Sequence, residues 1–400
     1  MVISSITGTW GKMTNSALLT GASSPRPLAH IKLLLPELLK IFDCVYVMAD
    51  KVAEQTLRKE KLWAGEELPE IPWPDVTIMF NSADPDWYLQ LWLEATAHCK
   101  GISSYRYEDM PGCVVRPHIL YPKRHFPPLA SRYMVINHAS ADMADNSGIR
   151  SNRIQVVGSI DLTLPTLDEK ESAKKIRQAW KSNLGLTRPL IVYSTGSSFE
   201  ADYDNLNAIR AVASETGAQV IVSVHPKLLQ AKSLPYDPEL APLARECDQF
   251  LKFFQEQDFV VFSENPSSDQ SFFYWLAGGR QLIELGCKGS LEGLPVDFVP
   301  GDVALFGFQN AAMMNSLLGT PSLNLCTPLI QERCLGLTGI LLPMAVASGI
   351  LPLLQGSEEI ISAVSAAIRG SFTCLTEEDV KQVIPYIGQD AIQRIVDYLI

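Results

Sequence analysis

The chain lacks the marks of metal-stapled, nucleic-acid-binding and low-complexity proteins. None of its eight cysteines (44, 99, 113, 247, 287, 326, 334 and 374) forms a CxxC pair, the spacing a structural zinc site uses, so no metal is expected. Several lie in apolar runs such as Asp43-Cys44-Val45-Tyr46. They read as reduced core thiols, and the cytoplasm is the expected compartment. Basic charge is also short: 33 Lys and Arg against 44 Asp and Glu leave a net charge of -11. Phosphate backbones demand clustered Lys and Arg, so nucleic acid is not the expected partner. An anionic small molecule needs only a local pocket and stays open. There is no repeat of solenoid length, and the first 15 residues lack the basic start and apolar centre of a secretory signal.

Long hydrophobic runs are nearly absent too, with one exception. Residues 334–357 carry no charge, a run long enough to cross a bilayer. Gly339, Pro343, Gly349 and Pro352 interrupt it, so buried loops around a short helix are expected. A patch resting on a membrane surface is the alternative reading.

With 400 residues, 47% of them hydrophobic, the chain exceeds what one core usually serves, and two domains are expected. Short β-rich runs alternate with amphipathic stretches, the pattern of parallel sheets with crossover helices. In the first half, strands are expected at 16–21, 44–48, 75–80, 101–107 and 133–137, the last closing that half. Helices are expected after 24, with a kink at Pro36, and at 51–63 and 84–100. The second half restarts the cycle after a charged helix at 168–183. Its strands are expected at 190–194, 219–224, 259–263, 281–285, 303–306 and 322–326. Its helices are expected at 204–216, 242–255, 310–318, 358–368, 377–387 and 389–399.

Open parallel sheets bind ligands beyond the carboxyl ends of their strands, so the residues that follow each strand are the candidates. Thr195-Gly196-Ser197 is small enough for backbone N–H groups to approach a phosphate, although no Gly-Lys-Ser/Thr follows to make it a Walker loop. His225, fixed by Pro226, can hydrogen-bond a phosphate or hydroxyl. Phe308, Gln309 and Asn310 open a helix whose free N–H groups suit a diphosphate; Asn310 is equally an N-cap. Glu332, beside Arg333 in a loop after a strand, offers a carboxylate for a ribose diol. Ser263-Glu264-Asn265 and Gly21-Ala22-Ser23-Ser24 are weaker candidates of the same kind. A general base for a hydroxyl acceptor is sought among Glu108, Asp109 and His138.

Four stretches in order carry a resemblance: residues 155–161 (Gln155-Val156-Val157-Gly158-Ser159-Ile160-Asp161), Tyr193-Ser194-Thr195-Gly196-Ser197, Ser223-Val224-His225-Pro226, and Asp302 to Gly307 leading to Asn315-Ser316-Leu317-Leu318-Gly319-Thr320-Pro321. Over about 155–370 the chain resembles the GT-B superfamily, the nucleotide-sugar glycosyltransferases and UDP-N-acetylglucosamine 2-epimerases. The resemblance implies an α/β fold of two Rossmann-like domains, with parallel sheets facing across a cleft. Their spans would be 1–160 on the acceptor side and 161–376 for the nucleotide, with helices 377–400 packing back on the first. It further implies transfer of a sugar from a nucleoside-diphosphate donor to a hydroxyl acceptor, with the nucleotide-sugar as substrate, no cofactor and no obligatory metal. Residues 309–314 lack the Glu that grips ribose in many relatives, and Phe306-Gly307-Phe308 replaces the epimerases' Ser-Gly-Gly turn. Epimerisation or hydrolysis of a UDP-sugar is the first alternative; a noncatalytic nucleotide-sugar or partner-binding role is the second.

Overall fold

The computed structural model describes residues 2–6, 16–20, 25–49, 74–81, 87–108, 114, 128–183, 187–196, 198–233, 241–261, 273–276, 298–307, 311–338 and 342–399. They form two compact units. Unit 1 holds 1–163, 335–340 and 381–400; unit 2 holds 164–334 and 341–380.

Unit 1 contains β1 (Val2–Ile6), β2 (Ser16–Thr20), α1 (Pro25–Ile41), β3 (Cys44–Ala49), β4 (Val76–Asn81), α2 (Trp87–Lys100), β5 (Ser103–Glu108), β6 (Arg132–Val135), α3 (His138–Asn146) and β7 (Ile154–Val156). Its sheet runs β1-β3-β2-β4-β5-β6-β7. All pairs are parallel except β1 with β3. β2, β3 and β4 are apolar almost throughout because helices cover both faces of such a sheet, whereas β5 buries Ser104, Arg106 and Glu108. The first strand is unexpected, and 133–137 is not the last of this half: β7, three residues long, pairs beyond it. It is too short to show a periodicity in sequence.

α1 runs through Pro36, which lies on its exposed side, where a missing backbone hydrogen bond costs least; the expected kink does not divide the helix. Its buried stripe, Ile31, Leu34, Leu35 and Leu38, joins one core with Leu19, Val45, Ile78 and Phe80. The closing helix Gln389–Leu399 adds Ile392, Ile395 and Val396 to that core. Each such side chain contributes about 1.5–3 kcal/mol by leaving water. On the other side, Glu94 of α2 accepts from Leu129 N–H (2.7 Å), Ala130 N–H (2.8 Å) and the Tyr133 hydroxyl (3.1 Å), and pairs with buried Arg106.

Unit 2 contains α4 (Leu167–Asn183), β8 (Leu190–Ser194), α5 (Phe199–Thr216), β9 (Gln219–Ser223), α6 (Pro226–Ser233), α7 (Ala241–Glu256), β10 (Val260–Val261), β11 (Phe273–Leu276), β12 (Val303–Phe306), α8 (Ala311–Leu317), β13 (Ser322–Asn324), α9 (Pro328–Thr338, whose last residues fall in unit 1), α10 (Met344–Ala347), α11 (Ser357–Ile368) and α12 (Glu377–Val383). Its sheet runs β10-β11-β9-β8-β12-β13, every pair parallel. Two segments read as loops are helices, α6 and α9. Both begin with proline, and the first helical position is the one where proline's missing N–H costs nothing. β11 was also not expected. The strand expected at 281–285 and the helix expected at 51–63 lie outside the described residues.

The uncharged run divides as its glycines and prolines suggest: the end of α9, the one-turn α10, and a bridge of Leu354 to Leu325. Among the described residues no helix is long and apolar enough to cross a membrane. Cys44, Cys247 and Cys326 are buried and free.

Candidate functional site

Both sheets reverse direction at one strand. In unit 2 the chain steps from β8 to β9 on one side, and later returns to place β12 on the other. The crevice at the carboxyl ends of β8 and β12 is therefore the switch point, where doubly wound sheets bind ligands.

The registers make these ends flush. Ser194 pairs with Ser223 on one side and Phe306 on the other, and Phe306 pairs with Asn324. The residues that follow, Thr195-Gly196, Val224-His225, Gly307 and Leu325-Cys326, thus emerge along one edge. Cross-edge bonds hold them: His225 N–H donates to Thr195 Oγ1 (3.1 Å), Thr195 N–H to the Ser223 carbonyl (3.0 Å), and Asn324 Nδ2 to the Gly307 carbonyl (2.7 Å). Of the candidates, Gly196 and His225 are half-buried on this edge. Ser197, Phe308, Gln309 and Asn310 lie outside the described residues, as do residues 263–265; Gly307, just before Phe308, is buried at the edge. Glu332 is exposed on α9, a helix rather than the expected loop.

A buried acid sits at this point. Asp202, in the first turn of α5, is 1% exposed. Its Oδ2 accepts the Gly196 N–H (2.9 Å), and its Oδ1 accepts the Tyr193 hydroxyl, which also accepts from Asn205 Nδ2 (3.1 Å). A Cβ on Gly196 would stand 3.2 Å from Oδ2 and one on Gly307 3.9 Å from Oδ1, so glycine at 196 leaves room for the carboxyl. Burial pushes this acid up to about 7, against the opposing pull of the Tyr193 and Gly196 hydrogen bonds and of Arg333. The first N–H of α5, on Phe199, donates to Glu246 Oε2 of α7 (2.6 Å). Two N–H groups that a phosphate would use are thus held by the protein's own carboxylates. Sequence reasoning missed Asp202, because an acid in the first turn of a helix is commonplace there.

In unit 1 the switch falls between β2 and β4. Glu108 ends β5, fully buried, and its Oε2 accepts the Ile136 N–H (2.9 Å), a tie between neighbouring strand ends. His138 opens α3 and is exposed; Asn137 caps that helix by accepting the Ser140 N–H (2.9 Å). Asp109 and residues 21–24 lie outside the described residues. A buried group went unread here as well. His30, fully buried on the core side of α1, packs edge-on against Tyr107 and lies 3.1 Å from Asp161 Oδ2, without hydrogen-bond alignment. The Tyr107 hydroxyl donates to the Gly158 carbonyl (3.2 Å) and accepts the Ile160 N–H (3.1 Å). Polar His30 beside Ile31 on an apolar stripe was the available signal. Among the described residues, no three His, Cys, Asp or Glu side chains cluster as metal ligands.

The comparisons with solved structures decide the fold. A UDP-GlcNAc 2-epimerase from Methanocaldococcus jannaschii, in complex with UDP-GlcNAc and UDP, superposes with a TM-score of 0.52 at 13% identity, over 96% of this chain and 98% of that one. The chain has the GT-B fold. UDP-N-acetylglucosamine 2-epimerase from Rickettsia bellii is similar at a TM-score of 0.51 and 12% identity, over 97% and 96%. Anabaena Alr3699/HepE in complex with UDP gives 0.50 at 11%, over 96% and 99%. No family model matches the sequence, and no curated protein matches it.

Proposed function

We propose that this GT-B chain binds a nucleoside-diphosphate sugar at the strand ends around β8 and β12 of unit 2 and transfers the sugar to a hydroxyl acceptor. The observation that carries the reading is the flush edge at the switch point, where Gly196, His225 and Gly307 follow adjacent strands. Similar folds holding UDP and UDP-GlcNAc support it. In this reading Gly196, Ser197, Phe308, Gln309 and Asn310 hold the diphosphate, with His225 beside it and Glu332 toward the ribose. The sequence supplies no Walker lysine for this edge, so the imidazole and the backbone N–H groups not already held by Asp202 and Glu246 bear the phosphate charge. Transfer then proceeds mainly through positioning and stabilisation of the departing diphosphate. Of the three base candidates, Glu108 is spent on the Ile136 N–H, His138 is exposed at the start of α3, and Asp109 lies outside the described residues; we assign the base to His138 or Asp109.

Epimerisation of a UDP-sugar is the second reading, favoured by epimerases among the similar structures. Calorimetric titration with UDP, GDP and CDP tests the shared premise: one of them binds at submillimolar Kd, and absence of heat with all three at millimolar concentration refutes it. Incubation with the matching nucleotide-sugar then separates the two chemistries. Turnover that requires an added acceptor supports transfer; turnover without one supports epimerisation or hydrolysis.

A further inference from the structure

We propose that Asp202 sets the charge selectivity of the nucleotide site: ionised, its carboxyl opposes a phosphate at the end of β8; protonated, it admits one. The proposal rests on the nucleotide-sugar reading and deepens it. Its ground is geometric. The carboxyl occupies the Gly196 N–H and lies within van der Waals reach of the Cβ positions of both switch-point glycines. A phosphate drawn to that turn meets a fixed acidic group where a P-loop-type cradle would offer only donors.

The surroundings leave that charge poorly compensated. β8 contributes the neutral Tyr193 hydroxyl and α5 its own Asn205. From α7, Glu246 adds a second negative charge; from α9, the exposed Arg333 is the opposing cation. The end of β12 brings only Gly307, and the end of β9 brings His225. Burial raises the Asp202 acid to about 7, so the switch between its two forms falls within ordinary working pH.

The test is calorimetric titration of UDP into the full chain and its Asp202→Asn variant at pH 6 and pH 8. Asparagine retains an oxygen for the Gly196 N–H and removes the charge. The expected result is that the variant binds UDP roughly tenfold tighter than the wild type at pH 8, and within about twofold at pH 6, the scale of one partly screened charge pair. UDP's terminal phosphate also titrates in this range, but it is common to both titrations, so the difference between the two proteins isolates Asp202. Asp202→Ser serves as the second uncharged variant, and a thermal melt of each confirms that it is folded. Equal Kd values for folded variant and wild type at pH 8 overturn the proposal and leave the nucleotide site standing. Absence of heat with UDP, GDP and CDP alike from either protein at millimolar concentration overturns both.

Discussion

Replacing Asp202 with asparagine makes the buried acid measurable without any ligand. In the folded protein its pKa is raised from 3.8 to about 7, chiefly by burial. The unfolded chain releases this proton near pH 4, while the folded chain keeps it until about pH 7. Between those values the folded state binds more protons, so stability falls as pH rises, and the loss is complete above the folded value. Three units correspond to about 4 kcal/mol over the whole range. Between pH 5 and pH 8, where most other carboxylates are already ionised, about 2.5 kcal/mol of that remains to be lost. Asp202→Asn has no such proton. Urea denaturation followed by circular dichroism at pH 5, 6, 7 and 8 gives the unfolding free energy of each protein. The gap between wild type and variant should move in the variant's favour by about 2.5 kcal/mol across that range. Parallel profiles would refute the reasoning, because they would mean that Asp202 ionises alike in the folded and unfolded chain.

Two further outcomes concern the segment that follows β7. Gly158 has a φ of +89°, and a Cβ there would lie 2.0 Å from the Tyr386 carbonyl oxygen. Gly158→Ala should therefore cost about 3 kcal/mol or more, from left-handed strain and a backbone clash together; a melting temperature equal to wild type would contradict this. Tyr107→Phe removes the hydroxyl that joins the Gly158 carbonyl to the Ile160 N–H. It should cost about 1–3 kcal/mol by stranding buried polar groups, read from the urea midpoint, with no change in UDP Kd.

The alternation of apolar runs and helical stripes was enough to place most parallel strands of both sheets and the two-unit plan, because burial on both faces makes most such strands apolar and short. Leu190–Ser194, Gln219–Ser223 and Val303–Phe306 are of this kind. What lies beyond local periodicity was not legible. Ile154–Val156 is a strand only because Arg132–Val135 offers it a partner, and α6 and α9 hid behind the prolines that open them. The candidate site divides in the same way. Small residues and a histidine after strands are visible as a string of letters, so Gly196 and His225 were named; that they share an edge depends on strand order and register, which are long-range. Asp202 shows the limit most clearly. Among Glu200, Asp202 and Asp204 it is one of three acids at alternate positions on a helix, and only the packing of α5 against the switch point buries it, binds it to Tyr193 and Gly196, and shifts its proton. Desolvation belongs to the assembled environment, and no residue carries it in its name.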